Sequence, residues 1–507
     1  MRKVVIYLCV AMLLAGCAGT VTPETTAPAA CVHTDGDDNW LCDGCAVYLG
    51  QKVDFIAVND LHGKVADGDT HPGVDEMTTY IKQTEQNADH LILLSAGDMW
   101  QGSAESNITR GQLTTEWMND VGFDAMTLGN HEFDWGEEPI AANAEIAEFP
   151  ILAINVYDRE TDQRVEYCDA SVLIDKGPVQ IGVIGAVGDC YSSISADKTK
   201  DIYFKTGDDL TRLVKEESEQ LRQQGADFIV YVIHDGFEQS KGGSITNVKG
   251  SQLSYYYDRE LSDGYVNLVF EGHTHQRYIL RDQKGVYHLQ NGGDNKGISQ
   301  VQVLINTANG SWKVQDARMV ATGTYATMED DPIVARLLEQ YDEQLSHANR
   351  VVGVNSKVRQ KNELRQLIAD LYYEVGMETW GQEYDIVLGG GFISVRDPGS
   401  LAAGDVTYAM LNGLFPFDNE LVLCSIRGRE LKEKFFETDH YSYFISYGRY
   451  GEQVRQNIDP NGTYYVVVDT YSSTYAPNRL TEIARYKKDV FARDLLAEYL
   501  GTGALNR

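Results

Sequence analysis

Four short segments and one isolated histidine carry the residues able to do chemistry. They are Asn59-Asp60-Leu61-His62-Gly63, Gly97-Asp98-Met99-Trp100-Gln101-Gly102, the run Gly129-Asn130-His131-Glu132-Phe133-Asp134-Trp135-Gly136, His234, and Gly272-His273-Thr274-His275. A D-x-H or H-x-H pair in extended backbone returns two side chains to one side, because the period is two. Glycines beside Asp98, Asn130 and His273 let the chain turn sharply and approach an ion. A phosphate ester resists attack because its oxygens are negative. Two divalent ions bound close together neutralise those oxygens and acidify a water between them. Holding such a pair needs a shared carboxylate plus several imidazole or oxygen ligands. The mixed oxygen and nitrogen donors suit manganese, zinc, iron or cobalt without choosing among them. Alone, each D-x-H, H-x-H or histidine is an ordinary structural feature. The set in this order is not.

These residues need a scaffold that brings them to one rim. Short apolar runs recur over 52–58, 90–95, 179–187, 227–233 and 266–270, with polar or helical stretches between them. That alternation predicts stacked strands with crossover helices, an α/β fold. The chemical residues follow the runs, and the carboxyl ends of strands border the ligand crevice in such sheets. A polar helix is expected over 331–349, with Leu337, Leu338, Tyr341 and Leu345 on one face. A second apolar stripe, Leu364, Leu367, Ile368, Leu371 and Val375, predicts a core helix. Strand-like runs return at 384–388, 420–426 and 464–469. The reading is two domains joined near 330–350.

From about Lys52 to the end, the chain resembles the calcineurin-like metallophosphoesterase fold, and within it the 5'-nucleotidase family, which includes UDP-sugar hydrolases and 2',3'-cyclic-nucleotide phosphodiesterases. The likeness is strong to about residue 300 and weaker beyond. It implies layered sheets with flanking helices over 51–328, a connector helix over 329–350, and a smaller α/β (α+β) substrate domain over 351–507. It further implies that Asp60, His62, Asp98 and His275 hold one metal, that Asp98, Asn130, His234 and His273 hold the other, and that Asp98 bridges. By the same likeness His131 stabilises charge on phosphorus or helps the leaving oxygen, with Asp134 orienting its imidazole.

The second domain departs from that pattern. The family has an asparagine before a glycine triplet and an arginine shortly after. Here the segment reads Leu388-Gly389-Gly390-Gly391-Phe392-Ile393-Ser394-Val395-Arg396, with leucine for asparagine and a later arginine. The family also stacks the base between two rings. After Pro416-Phe417-Asp418-Asn419 the first ring position falls on Leu421, and the second on Tyr471. Tyr471 could equally be a packed core tyrosine, and Arg396 a surface residue. With one ring lost, the expectation is a poor discriminator among nucleobases, or a different leaving group.

The amino terminus reads as an export signal: Arg2 and Lys3, an apolar run over 4–14 too short to span a bilayer, then Leu14-Ala15-Gly16-Cys17. The last four residues resemble the bacterial lipobox. That implies removal of residues 1–16, diacylation of Cys17 and anchorage to a membrane, with 17–30 a flexible tether rich in Thr, Pro and Ala. Within 31–50, Cys31-x-His33 and Cys42-x-x-Cys45 could ligate one zinc. The acidic stretch between them could instead bind calcium weakly, or a disulfide could pin the loop with no metal at all. Cys168, Cys190 and Cys424 are scattered, and pairing is not fixed by sequence.

The net charge of −32 argues against nucleic-acid partners and anionic membrane surfaces, but not against a small phosphate ester held by metal ions. Three functions compete. The leading one is an extracytoplasmic two-metal phosphoesterase acting on nucleotides or cyclic nucleotides to scavenge nucleosides and phosphate. A nucleotide-sugar pyrophosphatase would use the same site. A surface binding protein on a phosphatase scaffold is of another class, and the intact ligand set argues against it.

Overall fold

The computed structural model describes residues 31, 33–68, 72–237, 260–282, 284–436, 443–448, 454–474 and 480–502. The signal, Cys17 and the tether lie outside these residues. The described residues fall into two compact units, one ending at Leu49 and one running from Gly50 onward.

The larger unit opens with two six-stranded sheets. The first contains β1 (Gly50–Val58), β2 (His90–Ser95), β3 (Ala125–Thr127) and β4 (Ile151–Leu152). The second contains β5 (Ser171–Asp175), β6 (Gln180–Val187), β7 (Phe228–His234), β8 (Leu268–Glu271), β9 (Arg277–Arg281) and β10 (Tyr287–Asn291). The hairpin β11 (Gly297–Asn306) and β12 (Trp312–Ala321) returns to the first sheet. The strand orders are β12-β11-β1-β2-β3-β4 and β9-β10-β8-β7-β6-β5. In the first sheet β1 to β4 run parallel, and in the second β6, β7, β8 and β10 do. Antiparallel strands close three of the four edges.

Both faces of these sheets are covered, which is why the strands read as nearly continuous apolar runs. Val53, Phe55 and Ala57 point one way and meet Phe228, Val230 and Val232 of the facing sheet. Ile56 and Val58 point the other way, onto helices Asp75–Asn87 and Gln112–Val121 through Ile81, Trp117 and Val121. On the far side, Leu210, Val214 and Leu221 of helix Asp208–Gln223 cover Ile229, Tyr231 and Ile233. The result is four layers, helix–sheet–sheet–helix. The ends of β1, β2, β3, β7 and β8 are thereby brought to a common rim.

Instead of one connector helix there are two, Ile333–Gln340 and Asp342–Ala348, bent at Tyr341. The bend lets Leu337 and Leu345 both bury in the core of the first domain, while the Tyr341 hydroxyl donates to Glu116 (2.9 Å). A separate core follows. Helix Lys361–Trp380 starts where Glu363 reaches back to the Gln360 N–H (2.9 Å). It buries Leu364, Ile368, Leu371 and Val375 on a mixed sheet of β13 (Ile386–Phe392), β14 (Leu421–Arg427), β15 (Tyr443–Ser446), β16 (Thr463–Asp469) and β17 (Thr481–Arg485), ordered β15-β13-β16-β14-β17. Among the described residues, no helix is long and apolar enough to cross a membrane.

Candidate active site

The seven residues expected to hold metals converge on the common rim. Asp60 and His62 follow β1, Asp98 follows β2, Asn130 follows β3, His234 ends β7, and His273 and His275 follow β8. Five of them, Asp60, His62, Asp98, His273 and His275, have φ between 51° and 71°. Left-handed backbone costs about 1–2 kcal/mol per residue when a Cβ is present, and such strain gathers where side chains must be aimed. Gly97 (φ 85°) allows the close approach: a Cβ there would lie 2.7 Å from His234 Nδ1.

Among the described residues three triads of ligand atoms form at the rim, Asp60–His62–His275, Asp60–Asp98–His234 and Cys190–His234–His273. The Asp60 carboxylate accepts the His273 N–H (3.0 Å) and stands 3.2 Å from His275 Nε2. His62 Nδ1 donates to the Gln101 carbonyl (2.8 Å), which leaves a lone pair on Nε2, 3.1 Å from His275 Nε2. His234 Nδ1 donates to the Ala96 carbonyl (2.6 Å). Its Nε2 is buried without a hydrogen bond, although Asp98 Oδ2 is 3.0 Å away. Asn130 Oδ1 meets His273 Nδ1 at 2.9 Å.

The electrostatics of this cluster are set by burial and by its opposed charges. Burial pushes Asp60 and Asp98 up, but neighbouring imidazoles outweigh it and hold both below the usual carboxylate range. Burial pushes His62 down to about 3 and His273 down to about 4. Burial also acts against His234, yet the Asp98 charge carries it up to about 10. Two buried carboxylates require compensating positive charge. The His62 Nε2 lone pair and the His234 Nε2, which would give up its proton on binding an ion, offer that place to divalent ions, so the donor set fits them. Asp60 is common to the first two triads, His234 joins the second to the third, and Asp98 belongs to the second.

His131 stands beside this cluster. Its Nδ1 donates to Asp134 (2.7 Å), and Arg396 Nη2 donates to its Nε2 (2.8 Å). Arg396 is thus no stray surface residue. The loop after β13 folds back, with the Arg396 N–H on the Leu414 carbonyl (3.0 Å), and carries it across from the second domain.

Both domains wall a cavity of about 270 Å³. Asn130, His131 and His273 lie on one side, and Arg396, Phe417 and Tyr471 on the other. Leu421 does not take the ring position expected of it. Leu421 starts β14 and is buried in the core of the second domain, pointing away from the cavity. Phe417 takes the place, 5.3 Å from the Arg396 guanidinium and 6.0 Å from the His131 ring. Its loop is pinned by Arg493, which donates to the carbonyls of Phe415 (3.2 Å) and Phe417 (3.1 Å) and pairs with Asp418. Asp418 also accepts from Arg110 of the first domain (2.5 Å). Tyr471 packs on Phe392 (5.6 Å between centroids). Asp469 accepts the Ser472 N–H (2.7 Å), and Ser472 Oγ accepts the Phe392 N–H (2.9 Å), so one small network sets both rings.

Glu132 was missed as a functional residue, although it sits inside the 129–136 run. It is fully buried. Its Oε2 accepts the N–H of Asp98 (2.9 Å) and Gly129 (2.6 Å), and its Oε1 those of Met99 (2.8 Å) and Trp100 (3.2 Å). Burial and the Asp98 charge push this carboxyl up to about 7, against the pull of His234 and its N–H donors. One side chain therefore fastens the Asp98 loop to the Asn130 loop.

This geometry defines a metal-dependent phosphoric ester hydrolase, and the comparisons agree. Residues 54–277 match the calcineurin-like phosphoesterase family, and residues 342–478 match the 5'-nucleotidase C-terminal domain. The chain belongs to the family that joins these two domains, a family of hydrolases whose phosphoesterase domain carries a dinuclear metal centre. It is 28% identical over 481 residues to protein UshA of Yersinia enterocolitica, covering 81% of this chain and 83% of that one. It is 25% identical over 478 residues to a 5'-nucleotidase of Vibrio cholerae, covering 85% and 79%. The crystal structure of a 5'-nucleotidase precursor from Thermus thermophilus shares the fold, with a TM-score of 0.65 and 18% identity, covering 89% of this chain and 96% of that one.

Proposed function

We propose that this protein hydrolyses phosphate esters of nucleotides outside the cytoplasm, as a 5'-nucleotidase or 2',3'-cyclic-nucleotide phosphodiesterase. The observation that carries this reading is the shared cavity, where metal-ligand residues of one domain face Arg396, Phe417 and Tyr471 of the other. Asp60, His62, Asp98 and His275 would hold one ion, and Asp98, Asn130, His234 and His273 the second. Bound there, the ions supply charge neutralisation at the phosphate and an activated water. Asp134 fixes the His131 Nδ1 proton, so Nε2 faces the cavity beside Arg396. That pair meets the charge developing on the phosphoryl oxygens or the leaving oxygen. Phe417 and Tyr471 offer π-faces to a base, which stacking accepts with little regard to identity.

The test is hydrolysis of AMP, 2',3'-cyclic AMP, a UDP-sugar and p-nitrophenyl phosphate, each with and without chelator. A nucleotide monoester or cyclic ester should be turned over best, and only without chelator. Preference for the UDP-sugar would favour the pyrophosphatase reading. No preference for any nucleotide over p-nitrophenyl phosphate would end the nucleotide assignment.

The lipobox supports export, cleavage before Cys17 and acylation of its thiol. Labelled palmitate should enter the protein and fail to enter Cys17→Ser. Incorporation into that variant would refute the anchor.

A further inference from the structure

The segment from Cys31 to Leu49 holds its shape with almost no core. Among its described residues only Asp35, Cys42 and Leu49 are buried, while Leu41, Val47 and Tyr48 are exposed. A segment this small cannot be folded by apolar burial and requires a disulfide or a metal. Its backbone is nonetheless tightly organised. The Cys42-x-x-Cys45 turn closes with the Ala46 N–H on the Cys42 carbonyl and the Cys42 N–H on the Val47 carbonyl, both 2.8 Å. The Asp43 N–H reaches the Thr34 carbonyl (2.8 Å), which brings the Cys31-x-His33 arm against that turn. Asp35 satisfies the N–H groups of Asn39 (3.0 Å) and Trp40 (2.9 Å) between them.

The consequence is a cluster of four donor atoms. The Sγ atoms of Cys31, Cys42 and Cys45 and a ring nitrogen of His33 all lie within 4.8 Å of one another. Cys31 Sγ and Cys42 Sγ are 3.6 Å apart, and Cys45 Sγ and His33 Nδ1 are 3.5 Å apart. These distances discriminate between the two staples. A disulfide needs its sulfurs about 2.05 Å apart, and none joins these cysteines. Tetrahedral zinc, with bonds of about 2.3 Å to sulfur and about 2.05 Å to nitrogen, puts sulfurs about 3.8 Å apart and sulfur and nitrogen about 3.6 Å apart. These two edges match those of a coordination tetrahedron, and the other four are within 4.8 Å.

We propose that Cys31, His33, Cys42 and Cys45 bind one structural zinc ion that folds this segment. Three thiolates and an imidazole form a closed, soft donor set, which selects zinc over calcium or magnesium and leaves no position for substrate. The site stands independently of the nucleotide reading, because none of its ligands is in the catalytic cavity.

Cobalt substitution tests it on the purified full chain. Cobalt bound to thiolates absorbs strongly in the near ultraviolet by charge transfer. Cys190 Sγ also lies within 4.8 Å of ring nitrogens of His234 and His273, so the band is assigned by its loss in Cys42→Ser and its persistence in Cys190→Ser. The wild type should show the band, Cys42→Ser should lose it, and His33→Cys should keep it. Elemental analysis should find one zinc equivalent fewer in Cys42→Ser, with p-nitrophenyl phosphate hydrolysis changed less than about twofold. Absence of the band in the wild type would overturn the proposal. So would an intact mass and peptide map showing these cysteines joined in a disulfide.

Discussion

Replacing Glu132 by glutamine tests whether one buried carboxylate holds the metal loops together. The substitution keeps shape and volume but turns one acceptor oxygen into an NH₂ donor. Each Glu132 oxygen accepts two backbone N–H groups, so whichever oxygen is replaced, two buried donors lose their partner. Leaving a buried donor unsatisfied costs about 1–3 kcal/mol. The expected loss is therefore about 2–6 kcal/mol, a large part of the about 5–15 kcal/mol that keeps a protein folded. The loosened groups are those of Met99 and Trp100, or those of Asp98 and Gly129, so the loop that presents Asp98 is affected in either case. Urea unfolding should show the drop in midpoint, and kcat/KM in metal-replete buffer should fall more than about tenfold. An unfolding free energy within about 0.5 kcal/mol of the parent's would refute the reasoning. It would mean that the side chain already carries a proton, or that water satisfies the loops.

His131→Asn should lower kcat by about a hundredfold or more on general acid–base grounds while both metals stay bound. Metal loss on elemental analysis would make His131 a ligand. Phe417→Ala should lower kcat/KM for nucleotides by about 5- to 160-fold, the about 1–3 kcal/mol of a base-stacking contact, with kcat little changed. An unaltered KM would remove Phe417 from the substrate site. Leu421→Ala should behave differently, destabilising the fold by about 2–5 kcal/mol through a core cavity with KM unaltered in the folded fraction. The four nucleoside monophosphates should show similar kcat/KM, and a hundredfold preference for one would require base contacts beyond stacking.

The convergence of the seven proposed metal ligands was legible because local rules place them at strand ends, while their division between two ions came only from the family resemblance. Alternating apolar runs mark the strands, and a ligand just past a parallel strand has little freedom about where it lies. Asp60, Asp98 and His273 needed only that logic. The wall of the cavity obeys longer-range constraints. Whether Phe417 or Leu421 faces substrate depends on how the 415–419 loop is pinned, and the pin is Arg493, far along the chain. Alternation along β14 then sends Leu421 into the core. Arg396 looked displaced by its count from the glycine triplet, but the Arg396–Leu414 backbone bond folds the loop back to His131. Glu132 was visible as a residue and not as a role, because its donors come from loops over thirty residues apart in sequence. The bend at Tyr341 likewise answers to a core that the helix pattern alone does not describe.

The central claim is that catalysis depends on divalent ions held by the rim residues. Its most direct test is p-nitrophenyl phosphate hydrolysis by chelator-stripped protein, before and after manganese is returned, for the wild type and Asp98→Asn. The account predicts that stripping abolishes the rate, that manganese restores it in the wild type, and that Asp98→Asn stays inactive although folded. Undiminished hydrolysis by the stripped protein, or wild-type turnover by Asp98→Asn, would contradict it.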